Sequence, residues 1–404
     1  MNRIAAFTTV RASPPAKAHG RRMLGLASVA HALHDGFTDM IYVLLPIWQA
    51  QFMLGYGALA VLRALYVGAL AALQMPSGYL ARYLDARTVL ALGTLLGAGG
   101  YALAGVSGGL AGLGASLMLS GAGSSTQHPL ASAAVSRAYG EAARGPLGTY
   151  NFAGDVGKAT LPPALSLLLT HMEWRAALWI LAGLGVVVAV LIRWLMPRVP
   201  GPTPGAVTAP AHGSAGRGGF GLLLAIGVLD SAVRMAFLLF LPFLLEAKGA
   251  SLPTIGLALS LVFIGGALGK AACGWLGARM GLVATVVGTE VGTAAAILAV
   301  LALPLVPGLA LLPVLGVMLN GTSSVLYGTV PELVAGERIA HAFAVFYTGV
   351  LGSSALAPVL YGRLGDLAGP VWATAAAALT ALAVVPLIFA LAPRLRASPA
   401  MRTS

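Results

Sequence analysis

Nine charged side chains lie inside long apolar stretches of the sequence, where a charge is costly. They are Asp35, Asp39, Arg63, Asp155, Lys158, Asp230, Arg234, Lys270 and Glu290. A charge at the centre of a bilayer costs at least ~2.5–3.5 kcal/mol, so each of these residues needs a partner or a wet cavity. Because acids and bases are nearly balanced, we expect them to pair. Such a set can take up protons on its carboxylates and bind ions of opposite charge.

The spacing of His31, Asp35 and Asp39 is four residues, which places all three on one face of a helix. A carboxylate beside another in a low-dielectric surrounding can take a proton near neutral pH, and a neighbouring histidine can relay it. We therefore predict a proton-coupling role for Asp35 and Asp39, with His31 or His34 as the relay. The alternative is structural, with Asp35 bracing a neighbouring helix and His31 bonding a backbone carbonyl.

A second group of polar residues suits the binding of a small solute. Its members are Arg63, Gln127, His128, Asp155, Lys158, Asp230 and Arg234. Arg63 has no acid nearby in the sequence, so its partner is either a distant carboxylate or an anionic substrate group. Asp155 and Lys158 are three residues apart, and two interpretations stay open, a neutralising pair and substrate contacts. We predict that Lys270 and Glu290 serve structure.

The residue pair His128-Pro129 interrupts an apolar stretch. Proline removes a backbone donor and clashes with the preceding turn, which kinks the helix and frees a carbonyl near Ser124 and Ser125. Two interpretations stay open, a plain kink with satisfied hydroxyls and a polar patch that uses His128 and Gln127.

The composition indicates that these charged and polar residues lie in membrane-spanning helices. Hydrophobic residues make up 58% and charged residues 9% of the chain, whereas a soluble domain carries about 25% charged residues. Twelve apolar stretches are long enough to span a bilayer. They cover 23–49, 58–80, 88–107, 110–137, 146–170, 174–196, 219–246, 252–277, 281–302, 308–334, 339–363 and 371–393. The fold class predicted is an all-α integral membrane protein.

The domain organisation follows from a polar, proline-rich seam. We predict a cytoplasmic N-terminal arm at 1–22, a six-helix bundle at 23–196, a cytoplasmic linker at 197–218, a second six-helix bundle at 219–393 and a tail at 394–404. Most of the 24 basic residues fall on one side if both termini are cytoplasmic. This favours a multi-pass protein of a bacterial inner membrane.

Several function classes are excluded by what the sequence lacks. It has one cysteine, Cys273, and neither a CxxC nor an HExxH motif, so we predict no metal site and no cofactor. A nucleophile motif and a P-loop are also absent, which argues against an enzyme. The basic residues are scattered and form no stripe, so nucleic acid is not an expected partner. The expected partners are protons, a small-molecule substrate and the lipid bilayer.

The second half of the sequence repeats the first at a nearly constant spacing. The matched pairs include Asp35 with Asp230, Asp39 with Arg234, Pro46 with Pro242, and Gly78 with Gly274. Fused repeats of this kind place the substrate site at the membrane midplane between them. We expect Asp39 and Arg234 to face each other across that site and to pair in one state of a transport cycle; a static structural pair is the alternative. Since both repeats are present, we predict a monomer.

Twelve helices in two halves resemble the major facilitator superfamily. The loop after the second helix is similar to the superfamily signature through Gly78, Leu80, Arg82, Asp85 and Arg87, and its second copy through Gly274, Leu276 and Arg279. The resemblance implies alternating access, with Gly78, Arg82, Asp85, Arg87, Gly274 and Arg279 in gating loops.

Two shorter segments resemble the fosmidomycin-resistance group of exporters within that superfamily. One runs from His31 through His34 to Gly36, and the other from Gly121 to Pro129. This resemblance implies proton-driven export of a small, often anionic or zwitterionic compound or drug. Import of a small carboxylate by proton symport uses the same residue types and stays open, as does the weaker alternative of a membrane enzyme or receptor.

Overall fold

The regular structure of the described residues is entirely helical. The computed structural model describes residues 14–80, 83–198, 219–334 and 338–396. Its helices are α1 Pro14–Phe52, α2 Tyr56–Leu80, α3 Ala86–Ala104, α4 Leu110–Ser124, α5 Ser132–Tyr139, α6 Arg144–Leu168, α7 Trp174–Leu195, α8 Gly219–Glu246, α9 Leu252–Ala302, α10 Leu305–Leu333, α11 Ile339–Ala368 and α12 Pro370–Arg396. A π-helical turn at Gln127–Ala131 joins α4 to α5, and a 3-10 turn at Gly140–Ala143 joins α5 to α6.

These helices follow the predicted spans with two differences in how they are divided. The span predicted at 110–137 comprises α4, the π turn and α5. Conversely, α9 holds two predicted spans, which meet at Gly281 with φ 79°. A positive φ is readily adopted by glycine, so the chain turns there without a loop.

Fewer helices than predicted are both long and apolar enough to cross a membrane by length and composition. Eight of the described helices qualify, against twelve predicted spans. Four described helices do not qualify: α1 and α6, each of which carries two of the intramembrane charges, and α4 and α5, which the π turn separates. Helix α9 counts once for two spans. Helix α1 begins at Pro14, within the segment assigned to the N-terminal arm. Most of the linker (199–218) and of the tail (397–404), together with Arg82, lies outside the described residues.

Helices α1 and α8 are central, because parts of them are buried all round. Residues 40–45 of α1 and 236–245 of α8 are all buried. A helix buried on every side lies inside a bundle and not at its surface. These two helices therefore carry their charged residues, Asp39 and Arg234, in the interior of the molecule.

Helices α1 and α6 cross closely. A Cβ on Gly157 of α6 would overlap the backbone carbonyl oxygen of Ala32, and one on Gly36 of α1 would come within 2.9 Å of the Gly157 carbonyl oxygen. Small residues at a crossing let two helix backbones approach. This crossing brings the charged residues of α6 to those of α1.

The two halves of the molecule, α1–α7 and α8–α12, meet at the end where α2 begins and α11 ends. The Asp366 carboxylate accepts hydrogen bonds from the backbone nitrogens of Tyr56 at 2.6 Å and Gly57 at 3.1 Å. Between another pair of helices from the two halves, Ser260 of α9 donates to the carbonyl oxygen of Ala159 on α6 at 2.6 Å. The contact between Asp366 and the start of α2 is called the α2–α11 contact below.

Candidate functional site

A cavity of about 370 Å³ lies between the halves. Seven charged side chains line it, together with polar and apolar residues from both halves. The charged ones are Asp35, Asp39, Asp155, Arg63, Lys158, Arg234 and Lys270. His128, Asn320, Tyr327 and Tyr347 also line the wall. The cavity lies beyond the α2–α11 contact, toward the end of the molecule where α2 ends and α11 begins.

Asp35 bridges two neighbours in the cavity wall. Its Oδ2 lies 3.2 Å from the Lys158 Nζ on α6, and its Oδ1 lies 3.5 Å from the His31 Nε2 one turn earlier on α1. The Lys158 and Asp35 side chains are 29% and 15% exposed, so water in the cavity reaches the pair. The Asp35 carboxylate is thus held between an ammonium and an imidazole at the edge of the cavity.

The His31 ring is fixed by α6. Its Nδ1 donates to the carbonyl oxygen of Tyr150 at 2.8 Å, and the ring stacks on the Tyr150 ring with centroids 4.2 Å apart. His128, on the π turn, meets His31 edge-on with centroids 5.2 Å apart. π turns inside helices are frequent at functional sites, and this one aims His128 at the Asp35 face of α1.

His34 and Gln127, in contrast, are buried in the first half away from the cavity. The two ring nitrogens of His34 bond the hydroxyls of Ser124 at 2.9 Å and Thr94 at 3.0 Å. Gln127 donates to Thr94 at 3.4 Å, and its backbone oxygen accepts from the Tyr150 hydroxyl at 3.2 Å. Both residues thus tie α1, α3, α4 and α6 together.

Asp39 pairs with Arg63 of α2 at 3.4 Å. Both side chains are at most 7% exposed, and the guanidinium lies 5.0 Å from the centroid of the Tyr42 ring. Arg63 therefore has a distant carboxylate partner, one of the two alternatives left open by the sequence. The expected pair of Asp39 with Arg234 is not formed in this conformation.

Arg234 is held within the second half. Its guanidinium lies 3.5 Å from Asp230, one turn earlier on α8, and donates to Asn320 of α10 at 3.4 Å. Asp230 is buried, as is Glu290 on α9.

Asp155 and Lys158 do not neutralise each other as their spacing suggested. Asp155 instead pairs with Lys270 of α9 at 2.6 Å, and Lys158 pairs with Asp35. The two side chains diverge around α6 and each finds a nearer partner on another helix. The Asp155–Lys270 pair crosses the cavity from one half to the other, with the lysine side chain 44% exposed.

The loops assigned to gating carry fewer contacts. Asp85 and Arg87 pair at 3.2 Å, and Arg87 also donates to the carbonyl oxygen of Met196 at 3.4 Å. The Arg279 guanidinium lies 4.3 Å from the centroid of the Trp275 ring. Neither Gly78 nor Gly274 has a neighbour that a Cβ would touch, so both face open space.

Sequence reasoning missed several members of this site. Lys270 and Glu290 were assigned to structure, yet Lys270 lines the cavity; Glu290 is buried on α9. Asn320 was not considered, although an asparagine in the middle of an apolar stretch was a usable signal. Tyr150 holds His31 through its backbone oxygen, for which the sequence carries no signal.

The ligand atoms of His31, Asp35 and His128 lie within 4.8 Å of one another. The sequence analysis predicted no metal site, because these residues match no spacing motif. Histidine nitrogens and a carboxylate oxygen are ligands for zinc-like ions, so this cluster has the donor atoms of a metal site.

Comparison with known proteins identifies the family. The model of the Major Facilitator Superfamily matches residues 27–221 and 222–403, which is nearly the whole chain. No curated protein sequence matches it. The likeness to the fosmidomycin-resistance group therefore stays a prediction.

Two solved structures share the fold. One is a bacterial homologue of the human lysosomal transporter Spinster in an inward-facing, occupied conformation. It is 16% identical, with 97% of this chain and 98% of that chain covered and a TM-score of 0.76. The other is the nucleoside transporter NupG, which is 14% identical, with 92% of this chain and 99% of that chain covered and a TM-score of 0.78.

The family and both structures are transporters, so the chain is a multi-pass membrane transporter and not an enzyme. Its two matched segments divide it into the two halves that enclose the cavity. The chain belongs to the Major Facilitator Superfamily.

Proposed function

We propose that the protein is a proton-coupled secondary active transporter that exports a small anionic or zwitterionic compound by alternating access. The observation that carries the proposal is Asp35, a carboxylate in the cavity wall held between Lys158 and His31. A cationic group of a zwitterionic substrate would compete with the proton for the Asp35 carboxylate, while Lys158 binds the anionic group. Protonation of Asp35 would then expel the substrate, and substrate binding would expel the proton, which is the competition that antiport requires.

The charge of the cavity supports an anionic or zwitterionic substrate. The described lining holds four bases and three acids, with His128 in addition. Aromatic side chains, among them Tyr347 at 39% exposure, offer apolar surface beside these charges. A lipophilic cation would meet the excess of bases at close range.

The orientation proposed from the basic residues determines which side of the membrane the cavity faces. If the linker and both termini lie in the cytoplasm of a bacterium, the α2–α11 contact closes the outer end and the cavity faces inward. The helix packing within each half is then stabilised by Asp39, His34, Gln127, Asp230 and the gating loops. The two fused halves make a complete cavity, which is consistent with a monomeric transporter.

Export rests on the likeness to the fosmidomycin-resistance group, and import by proton symport is the alternative. In symport, protonation of Asp35 would assist substrate binding instead of competing with it. The same residues serve both directions, so the distinction must come from transport data.

Everted membrane vesicles with an acidic interior test the proposal. Candidate phosphonates, carboxylates and drugs are added outside, and proton release from the lumen is followed with a pH-sensitive dye. We expect one compound to trigger release by the wild type but not by Asp35→Asn. The matched control is Glu173→Gln, which alters an exposed carboxyl at the start of α7.

The outcomes separate the two directions. Release that Asp35→Asn leaves unchanged contradicts the role given to Asp35. Release only when the compound is loaded inside the vesicles supports symport. Size-exclusion chromatography of the purified variants shows whether any loss of transport comes from misfolding.

A further inference from the structure

The cluster of His31, Asp35 and His128 contains an unusual pair of facing atoms. The Nδ1 of His31 lies 2.8 Å from the Tyr150 carbonyl oxygen, which can only accept, so Nδ1 carries the hydrogen. In the neutral ring, Nε2 then carries no hydrogen and presents a lone pair. It is buried, has no hydrogen-bond partner, and faces the Asp35 Oδ1 at 3.5 Å. Two electron-rich atoms at this separation are stabilised by a cation bound between them.

The geometry fits a tetrahedral metal ion. Zinc binds imidazole nitrogen and carboxylate oxygen at about 2.0–2.2 Å, which separates neighbouring ligands by roughly 3.3–3.5 Å. The 3.5 Å between Nε2 and Oδ1 matches that edge, and His128 completes a set within 4.8 Å. Metal-binding histidines usually donate their second nitrogen to a carbonyl or carboxylate, as His31 does to Tyr150.

Gly154 on α6 lets the His31 and Asp35 side chains lie against the helix backbone. A Cβ at this position would lie 2.9 Å from the His31 Nε2 and 2.7 Å from the Asp35 Oδ2, the oxygen that faces Lys158. Contacts this short would force both side chains to move. A larger residue at this position would therefore disturb two of the three ligands.

We propose that His31, Asp35 and His128 form a binding site for a divalent transition-metal ion of the zinc type, with the fourth position open to the cavity. The inference goes beyond the proposed transport function and does not depend on it. The metal would occupy the place of a proton between His31 and Asp35. A zinc-type ion in the cavity would thus hold Asp35 in its charged form.

Lys158 opposes this binding. Its ammonium lies 3.2 Å from the second oxygen of Asp35 and repels a cation there. Two other charged groups face the cluster from farther away, Asp39 on α1 and Asp155 on α6. The site is therefore predicted to bind more tightly when the ammonium is removed, as in Lys158→Met.

Cobalt is a suitable probe because its visible absorption reports tetrahedral nitrogen and oxygen ligation. The full-length protein, purified in detergent and stripped of metal, is titrated with Co²⁺ and then with Zn²⁺. We expect one equivalent of Co²⁺ to give a tetrahedral spectrum that Zn²⁺ abolishes. His128→Ala and Asp35→Asn should each weaken binding by at least about tenfold, and Lys158→Met should strengthen it.

Two variants keep the test decisive. Gly154→Ala retains all three ligands, yet its Cβ would displace the His31 and Asp35 side chains, so it should lose Co²⁺ binding even if His128→Ala does not fold. His34→Gln is the matched control, because His34 is a buried histidine on the same helix with both nitrogens bonded to hydroxyls. It should bind Co²⁺ like the wild type.

The proposal is overturned if the wild type gives no tetrahedral Co²⁺ spectrum, which would leave a shared proton between His31 and Asp35. It is equally overturned if His128→Ala or Gly154→Ala binds as the wild type does. A loss in His34→Gln as large as in His128→Ala would show that the binding is unspecific, with the same consequence.

Discussion

Removal of the Asp366 carboxylate should shift the balance between the two conformations of the transporter. The carboxylate accepts two bonds from the first turn of α2, at 2.6 and 3.1 Å, although Asp366 belongs to α11 of the other half. The first N–H groups of a helix have no partner within it. Asp366 thus caps α2 only while the halves touch at this end, and opening that end loses the cap.

The magnitude follows from the capping geometry. Replacing an aspartate cap with alanine costs typically ~1 kcal/mol, within a range of about 0.5–2. Charge at a helix N-terminus adds about 0.3–1 kcal/mol. Because the Asp366 side chain is 23% exposed, water replaces part of the loss. We expect Asp366→Ala to weaken the closed contact by about 1–1.4 kcal/mol, a fivefold to tenfold change in population.

Spin labels placed one on each half can measure this change. Met53 and Trp372 are 88% and 70% exposed and lie at the two sides of the α2–α11 contact. Cysteines at both positions, in a Cys273→Ala background, allow distances to be measured by double electron–electron resonance. Asp366→Ala should move population to the longer distance.

Asp366→Asn is the matched control. Asparagine caps helices about as well as aspartate, but its single amide oxygen can accept only one of the two N–H bonds, so this variant keeps part of the cap and loses the charge. We expect its distance distribution to lie between those of the wild type and Asp366→Ala. An unchanged distribution in Asp366→Ala would refute the capping argument, and equal shifts in both variants would assign the effect to the charge and the second hydrogen bond.

Three further predictions concern packing and charge inside the membrane. Arg63→Met leaves the Asp39 carboxylate buried and unpaired, so it should lower the free energy of unfolding by about 3–5 kcal/mol, measured by chemical denaturation. The double variant Arg63→Met/Asp39→Leu should recover most of that loss. A double variant that stays as unstable as Arg63→Met would contradict the pairing. Asp155→Asn breaks a half-exposed pair and should change the same stability by less than ~1 kcal/mol; a larger loss would mean that this pair is effectively buried. Gly157→Val places a side chain where it would overlap the backbone of α1, so the variant should elute as aggregate in size-exclusion chromatography. Gly68→Ala, which faces open space, should elute as the wild type does. Equal elution of the two variants would argue against the close crossing.

The helices could be predicted from the sequence because apolar length is a strong and local signal. The predicted break between 277 and 281 falls at Gly281, where α9 turns with a positive φ. Pro129 predicted an interruption of the helix at His128, although the π-helical form of that turn could not be predicted. These features depend on residues close together in the chain.

The pairing of charges could not be predicted, because it depends on which helices become neighbours and how each is rotated. The spacing of Asp155 and Lys158 suggested one pair, but α1 and α9 present nearer partners at Asp35 and Lys270. The repeat suggested that Asp39 faces Arg234, while the structure joins Asp39 to α2.

The distribution of ion pairs explains how the halves can move at small energetic cost. The buried pair of Asp39 with Arg63 joins two helices of one half, and Asp230 with Arg234 lies within one helix of the other. Breaking such pairs would leave uncompensated charge at several kcal/mol each. Among the described ion pairs, the one seen to cross between halves joins Asp155 to a lysine that is 44% exposed, where separation costs ~1 kcal/mol or less. Rocking of the proposed kind therefore separates the inexpensive contacts and carries the expensive ones along intact within each half.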